Sequence, residues 1–161
     1  MKRVLLTGMS GTGKSSIVQE LRSRGYKAVD TDYGWSEEVE VRSGDTGTVN
    51  SKDWLWREDR ISELLTTQDA DVLFVSGTAP NQAKFYHWFD DIVLLTAPES
   101  VMVERLRARA NNPYGKRPGE LERILDHKRR IEPLLQRAAT IVIDTSPSLR
   151  EVVDEILRRV R

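Results

Sequence analysis

Cysteine is absent from the 161 residues. That removes disulfides and thiolate metal sites, and it agrees with a reducing compartment. Histidine is nearly absent, with 2. Neither His87 nor His127 sits in a spacing that reads as a transition-metal site, and a lone histidine is far more often structural. An excess of either charge is missing too, because Lys+Arg and Asp+Glu number 25 each. Without a global basic field, a dedicated DNA- or RNA-binding role gains no support. No apolar run approaches membrane-spanning length, so no membrane role is expected. The first strand begins at Lys2-Arg3, and the expectation is a cytoplasmic protein without a signal peptide. The length suits one domain with a real core over residues 1–161, and is short for two.

What is present is led by Gly8-Met9-Ser10-Gly11-Thr12-Gly13-Lys14-Ser15. These residues match the P-loop pattern G-x-x-x-x-G-K-[ST]. They follow the apolar run Val4-Leu5-Leu6 and precede a helix-forming stretch, Ser15 to Arg24. Glycines let successive backbone N–H groups turn inward toward phosphate oxygens, and the following helix adds its positive N-terminal end. Lys14 is the point charge expected on the β/γ-phosphates, and the Ser15 hydroxyl an expected Mg²⁺ ligand. ATP and Mg²⁺ are therefore the expected cofactors. The phosphate cradle is expected to run from Gly8 through Ser16.

Short apolar runs alternate with helical patterns along the chain. Val4–Thr7, Lys27–Asp30, Asp71–Ser76, Asp91–Leu95 and Thr140–Ile143 read as five strands of a buried parallel sheet. Leu149, Val152, Val153, Ile156, Leu157 and Val160 form a one-sided stripe behind a capping box at Ser148 and Glu151. Val101, Met102, Arg105, Leu106 and Arg109 belong to another helix. Leu121, Ile124, Leu125, Ile131, Leu134 and Leu135 belong to a third, which Pro133 is expected to kink or split. Two segments read as loops: Tyr33 to Asp53 and Asn111 to Gly119. Loops at the carboxyl ends of parallel strands are where α/β proteins place ligands.

Asp30-Thr31-Asp32 ends the second strand, near the γ-phosphate position. Carboxylates there can hold Mg²⁺ through water, orient an acceptor hydroxyl or take its proton; they are also ordinary turn formers. Trp54 to Ile61 reads as a helix start. Within it Arg57 either grips an anionic acceptor or pairs with Glu58, Asp59 or Glu63, and the tryptophans either stack on a ring or fill the core. Arg105 and Arg109 share a helix face, so one can stack on a base while the other reaches phosphate; the alternative is a polar face. The loop at 111–119 adds Lys116 and Arg117 and reads as a cationic flap that closes on phosphates. Gly77 after the third strand allows close approach of chain or ligand, or is a plain turn. Asp71 starts that strand instead of ending it, which argues against a conventional motor ATPase.

Taken together these features resemble the small P-loop kinases of the nucleoside-monophosphate kinase superfamily, shikimate kinase and gluconate kinase-like proteins most of all. The resemblance covers nearly the whole chain. It implies an α/β P-loop fold with a five-stranded parallel sheet in the order 2-3-1-4-5, helices on both faces and a mobile lid at about 111–119. It places the acceptor-binding region at about 32–62. Asp30 is matched to metal organisation and Asp32 to the acceptor. Trp56-Arg57 is matched in part to the acceptor arginine, and Gly77 to a glycine turn that touches the acceptor. Glu104-Arg105-x-x-x-Arg109 resembles the pattern in which the first arginine stacks on adenine and the second enters the lid. Ile143 to Pro147, with Thr145 at its centre, resembles the loop against adenine. The implied catalytic residues are Lys14, Asp32 and Arg109. The implied activity is ATP-dependent phosphoryl transfer to a small-molecule acceptor, on a hydroxyl group. A nucleoside monophosphate acceptor and a nucleotide-dependent switch or slow ATPase stand as alternatives. The departures fall in the acceptor half: a triple glycine is reduced to Gly77, and Arg129 and Arg130 lie further from Pro133 than the pattern has them.

Overall fold

Residues 1–42, 49–108 and 117–160 are described by the computed structural model. The chain runs β1 (Lys2–Thr7), α1 (Lys14–Ser23), β2 (Lys27–Asp30), β3 (Ser36–Arg42), β4 (Val49–Trp56) and α2 (Glu58–Thr66). It continues with β5 (Val72–Ser76), a 3₁₀ segment (Gln82–Trp88), β6 (Asp91–Thr96), α3 (Glu99–Ala108), α4 (Glu120–Ala138), β7 (Ile141–Asp144) and α5 (Leu149–Arg159). Strands β2-β5-β1-β6-β7 form one parallel sheet in that order. Counting parallel strands alone, this is the expected 2-3-1-4-5. Each short apolar run became a strand because both faces of the sheet are covered, so alternation is not needed.

Alternate residues of the strands feed the two faces. Val4, Leu6, Phe74, Val93 and Leu95 pack with Ile17, Val18 and Leu21 of α1 and Val152, Val153 and Ile156 of α5. Leu5, Leu73, Val75 and Ile92 point the other way, onto Trp56, Ile61 and Leu65. Leu94 on that second face meets Met102 and Leu106 of α3 and Ile124 and Leu135 of α4. At the N-terminus of α5 the Ser148 hydroxyl accepts from the Glu151 N–H at 3.3 Å. A cap of this kind is worth about 1 kcal/mol. Ser76 stands level with Leu6 of β1 and with Asp30 of β2. The three carboxyl ends therefore finish side by side, next to the P-loop.

Three expectations are corrected. The stretch 33–53 is not all loop: β3 and β4 pair antiparallel, with Ser36 opposite Trp56 and an irregularity at Val41/Arg42. The alternation in Glu37-Glu38-Val39-Glu40-Val41-Arg42 is hidden by its charges, and the two strands are joined by their backbone ladder. The helix expected from Trp54 starts instead at Glu58, because Trp54 and Trp56 are in β4, where aromatic residues are well suited. Pro133 does not split α4, which is continuous through 138. Proline removes one helical hydrogen bond, and here the ring stands on the exposed side. The 3₁₀ segment was not anticipated. Arg109 and residues 111–116 of the expected lid lie outside the described residues; Arg117 to Gly119 lead into α4. Among the described residues no helix is long and apolar enough to cross a membrane.

Candidate active site

The P-loop joins the buried end of β1 to α1. Gly13 occupies the helix N-cap with φ 88°, a left-handed conformation that costs other residues roughly 1–2 kcal/mol. Lys14 Nζ donates to the carbonyls of Gly8 (2.6 Å) and Met9 (3.1 Å), so its ammonium lies over the loop. Thr12 Oγ1 donates to the Met9 carbonyl at 2.8 Å. Thr78 fastens the loop from β5's end: its hydroxyl donates to Gly8 O at 2.7 Å and accepts from Gly8 N at 3.2 Å.

The acidic corner is built at the end of β2. Asp30 is buried, accepts from Ser15 Oγ at 2.8 Å, and accepts the Asp32 N–H at 3.1 Å. Thr31 points into the protein. Its hydroxyl donates to Ser76 O at 2.7 Å and accepts from Trp56 Nε1 at 3.0 Å. Trp56 thus packs in the core while its indole N–H is satisfied, as buried tryptophan requires. Its backbone is clamped by Asn81, which accepts from Trp56 N and donates to Trp56 O, both at 3.0 Å.

Two cavities flank this corner. One, of about 650 Å³, is lined by the loop from Ser10 to Ser16 and by Tyr33, Arg105, Thr145 and Pro147. The other, of about 450 Å³, is lined by Gly8, Met9 and Thr78 and by Arg123, Asp126, His127 and Arg130 of α4. Ser10, Lys14 and Asp32 line both. Asp32 therefore stands at their junction. Its carboxyl is held above the usual carboxylate range, chiefly by desolvation; Lys14 opposes the shift and Asp30 adds to it. The side chain keeps an open face on the cleft, so solvent moderates this effect.

In the larger cavity Arg105 bridges the P-loop and the loop after β7. It donates to Gly11 O at 3.3 Å, to Thr145 Oγ1 at 2.9 Å and to Thr145 O. Asp144 braces that loop: it accepts from the Ser146 hydroxyl (2.7 Å) and N–H (2.9 Å). Those bonds, the hydroxyl first, hold its carboxyl below the ordinary value.

The structure brings together Gly8 to Ser16, Asp30, Asp32, Arg105 and Thr145. Arg57 lines neither cavity; it is exposed and donates to Asp59 at 3.5 Å. Gly77 is buried against Thr31 and Trp56, where a Cβ would overlap Thr31 Oγ1. Arg109 lies outside the described residues. Sequence reasoning missed Thr78, Tyr33 and the α4 residues Arg123, His127 and Arg130. The α4 set did carry a signal, an i, i+4, i+7 spacing that puts all three on one helix face.

Oxygen donors suited to Mg²⁺ are present in Ser15 and Asp30. Beside them, Ser76 Oγ is fully buried and, among the described residues, is the one buried side-chain N or O atom without a partner. Ser76 and Asp30 are level on neighbouring strands, so their side chains share the face that α1 covers. Among the described residues no cluster of three or more His, Cys, Asp or Glu stands ready for a metal. A few oxygens beside a phosphate site is the setting that Mg²⁺ takes, with substrate phosphates and water as its other ligands.

A family model described as an AAA domain matches residues 4–148. A shikimate kinase of Syntrophus aciditrophicus is 33% identical over 98% of this chain and 90% of its own length. A nucleotide-binding protein of Gluconacetobacter diazotrophicus is 30% identical over 95% of this chain, which spans 41% of that longer protein. In the solved structures, the shikimate kinase of Acinetobacter baumannii in complex with shikimate has the same fold. Its TM-score is 0.66 at 20% identity, covering 99% of this chain and 93% of that one. The chain belongs to the AAA-domain family, as a small P-loop protein of shikimate kinase type.

Proposed function

We propose that the protein transfers the γ-phosphoryl group of ATP to a hydroxyl group of a small acceptor. The observation that carries this reading is Asp32, shared by two cavities beside Lys14. The larger cavity suits the nucleotide: Ser10 to Ser16 line it for the phosphates, with Gly8 and Met9 of the same cradle on the adjoining cavity, and Arg105 and Thr145 flank its base. The smaller takes the acceptor. Asp32 accepts the hydroxyl proton as the oxygen–phosphorus bond forms. The bond from the γ-phosphorus to the β–γ bridging oxygen breaks, and ADP leaves. A carboxyl held above its ordinary value is a better base for that proton. Lys14 turns from the Gly8 and Met9 carbonyls to the phosphates and stabilises the charge that develops. Ser15 and Asp30 would hold Mg²⁺, which neutralises phosphate charge when bound. Arg109 and the 111–119 lid would close over the phosphates.

The test is ADP release across hydroxylated acids, sugars, nucleosides and nucleoside monophosphates. Asp32→Asn is expected to keep ATP affinity and to lower acceptor-dependent turnover by roughly 10²–10⁴-fold. Asp30→Asn should instead raise the Mg²⁺ needed for half-maximal rate. Parental turnover by Asp32→Asn would sink the assignment. A second reading, a nucleotide-dependent switch, is favoured by the likeness to a nucleotide-binding protein. Phosphate release that no acceptor stimulates is its signature.

A further inference from the structure

The wall of the smaller cavity is supplied by α4, and its charges are not balanced. Arg123, Asp126, His127 and Arg130 line the cavity from one helix face. Arg130 is already engaged, with Nη2 at 2.7 Å from Asp126 Oδ2. Two other cations of the helix are engaged elsewhere. Arg129 makes a two-pronged pair with Glu99 at 2.8 and 3.0 Å, and Lys128 pairs with Glu132 at 2.8 Å. Arg123 and His127 have no side-chain partner among the described residues. They are one helical turn apart and face the same space. Ile124, beside Arg123, is buried with Leu94, Met102 and Leu106, which fixes this face of α4 relative to the sheet.

Two arginines against one aspartate leave one net positive charge on this wall. A carboxylate is matched by a single guanidinium fork. A guanidinium fork plus an imidazole N–H, with charge to spare, matches a dianion that has three acceptor oxygens. Arg57, at the position where the resemblance puts an acceptor arginine, is outside the cavity. Among the described residues, the cationic side chains that line this cavity besides Lys14 are on α4.

We propose that the acceptor is a hydroxylated phosphate monoester whose phosphate is held by Arg123 and His127 while its hydroxyl reaches Asp32. This rests on the phosphotransfer reading above for which cavity holds the acceptor. The monoester phosphate is a handle and is unchanged in the reaction. The new oxygen–phosphorus bond forms at the hydroxyl, its proton goes to Asp32, and the products are ADP and a bisphosphorylated compound. The step that supplies this acceptor is accordingly one that makes a phosphorylated polyol or sugar.

Calorimetric titration of the protein loaded with a non-hydrolysable ATP analogue and Mg²⁺ tests the site. The probes are polyol phosphates, the matching sugar acids and the neutral polyols. Polyol phosphates are expected to bind tightest, by about tenfold or more over the sugar acids. Arg123→Gln and His127→Gln should each weaken them about tenfold, the size of a lost charge-assisted bond. Affinity for the analogue checks folding in both variants. Sugar acids binding as tightly as phosphates, undiminished phosphate binding in both variants, or no binding in any of the three classes overturns the proposal. The kinase reading fails separately: phosphate esters that bind through Arg123 and His127 but never release ADP leave the anion site standing and remove the transfer. ADP release driven by sugar acids, indifferent to both substitutions, keeps the transfer and removes the site.

Discussion

Asp32 illustrates how a candidate site residue is kept at a cost to stability. Its carboxyl is raised chiefly by desolvation, with Asp30 adding and Lys14 opposing. A carboxyl with a raised folded value favours folding while protonated. That contribution is complete below the ordinary carboxylate range and is lost as pH rises through the raised value. Above that raised value the folded protein carries an ionised Asp32 at some cost. Asp32→Asn is expected to raise Tm near neutral pH, modestly because the side chain keeps a face to solvent. In acid, below the ordinary carboxylate range, the gain should vanish. Thermal scans at the two pH values check this; an equal gain at both would mean that the charge is not its source. The aspartate pair could be read in the sequence as acidic residues at a strand end. Which of the two is buried could not. Asp30 turns inward to Ser15 because it shares the sheet face that α1 covers, and Asp32 lies two residues beyond, past the strand's end.

At the scale of elements, the ends of β2, β4 and β5 pack together behind the cleft. Thr31, Trp56 and Gly77 meet there, with Trp56 only 2% exposed. A methyl group at Gly77 would overlap Thr31 Oγ1 and come within 3.5 Å of Trp56 Cζ2. Gly77→Ala is predicted to cost about 1–3 kcal/mol, the range for overpacking, as read by urea unfolding. Parental stability would mean that Thr31 can swing away without losing its bonds to Ser76 and Trp56. The glycine itself was visible in the sequence as a point of close approach, but its neighbours were not, because they are 46 and 21 residues away in the chain, at Thr31 and Trp56. The β3–β4 hairpin escaped for a related reason. Its pairing supplies the regularity, whereas periodicity reports burial, and charged strands show little of it. Helix α5 was legible in full apart from Leu149, which is 39% exposed.

At the scale of the molecule, folding and nucleotide binding are coupled through the loop between β1 and α1. ATP with Mg²⁺ should stabilise the parent protein by about 2.7 kcal/mol at about 100 times Kd. That is several degrees in Tm for a chain of this length. Lys14→Ala is expected to lose most of this shift, because its ammonium is the charge nearest the cradle. A full shift in the variant would remove Lys14 from triphosphate handling.

The sequence by itself determined the P-loop, the five-strand parallel sheet and the helices that cover it. Each is written in contiguous residues: eight for the loop, and runs of apolar side chains for the rest. Tertiary structure decided what those elements enclose. It brought α4, far along the chain, over the loop at its start, and so gave the smaller cavity a wall with Arg123, His127 and Arg130. It also took Arg57 out of that cavity and made Gly77 part of the packing behind it. Periodicity shows which face of a helix is buried, but the cavity that its polar face borders depends on residues brought together from distant parts of the chain.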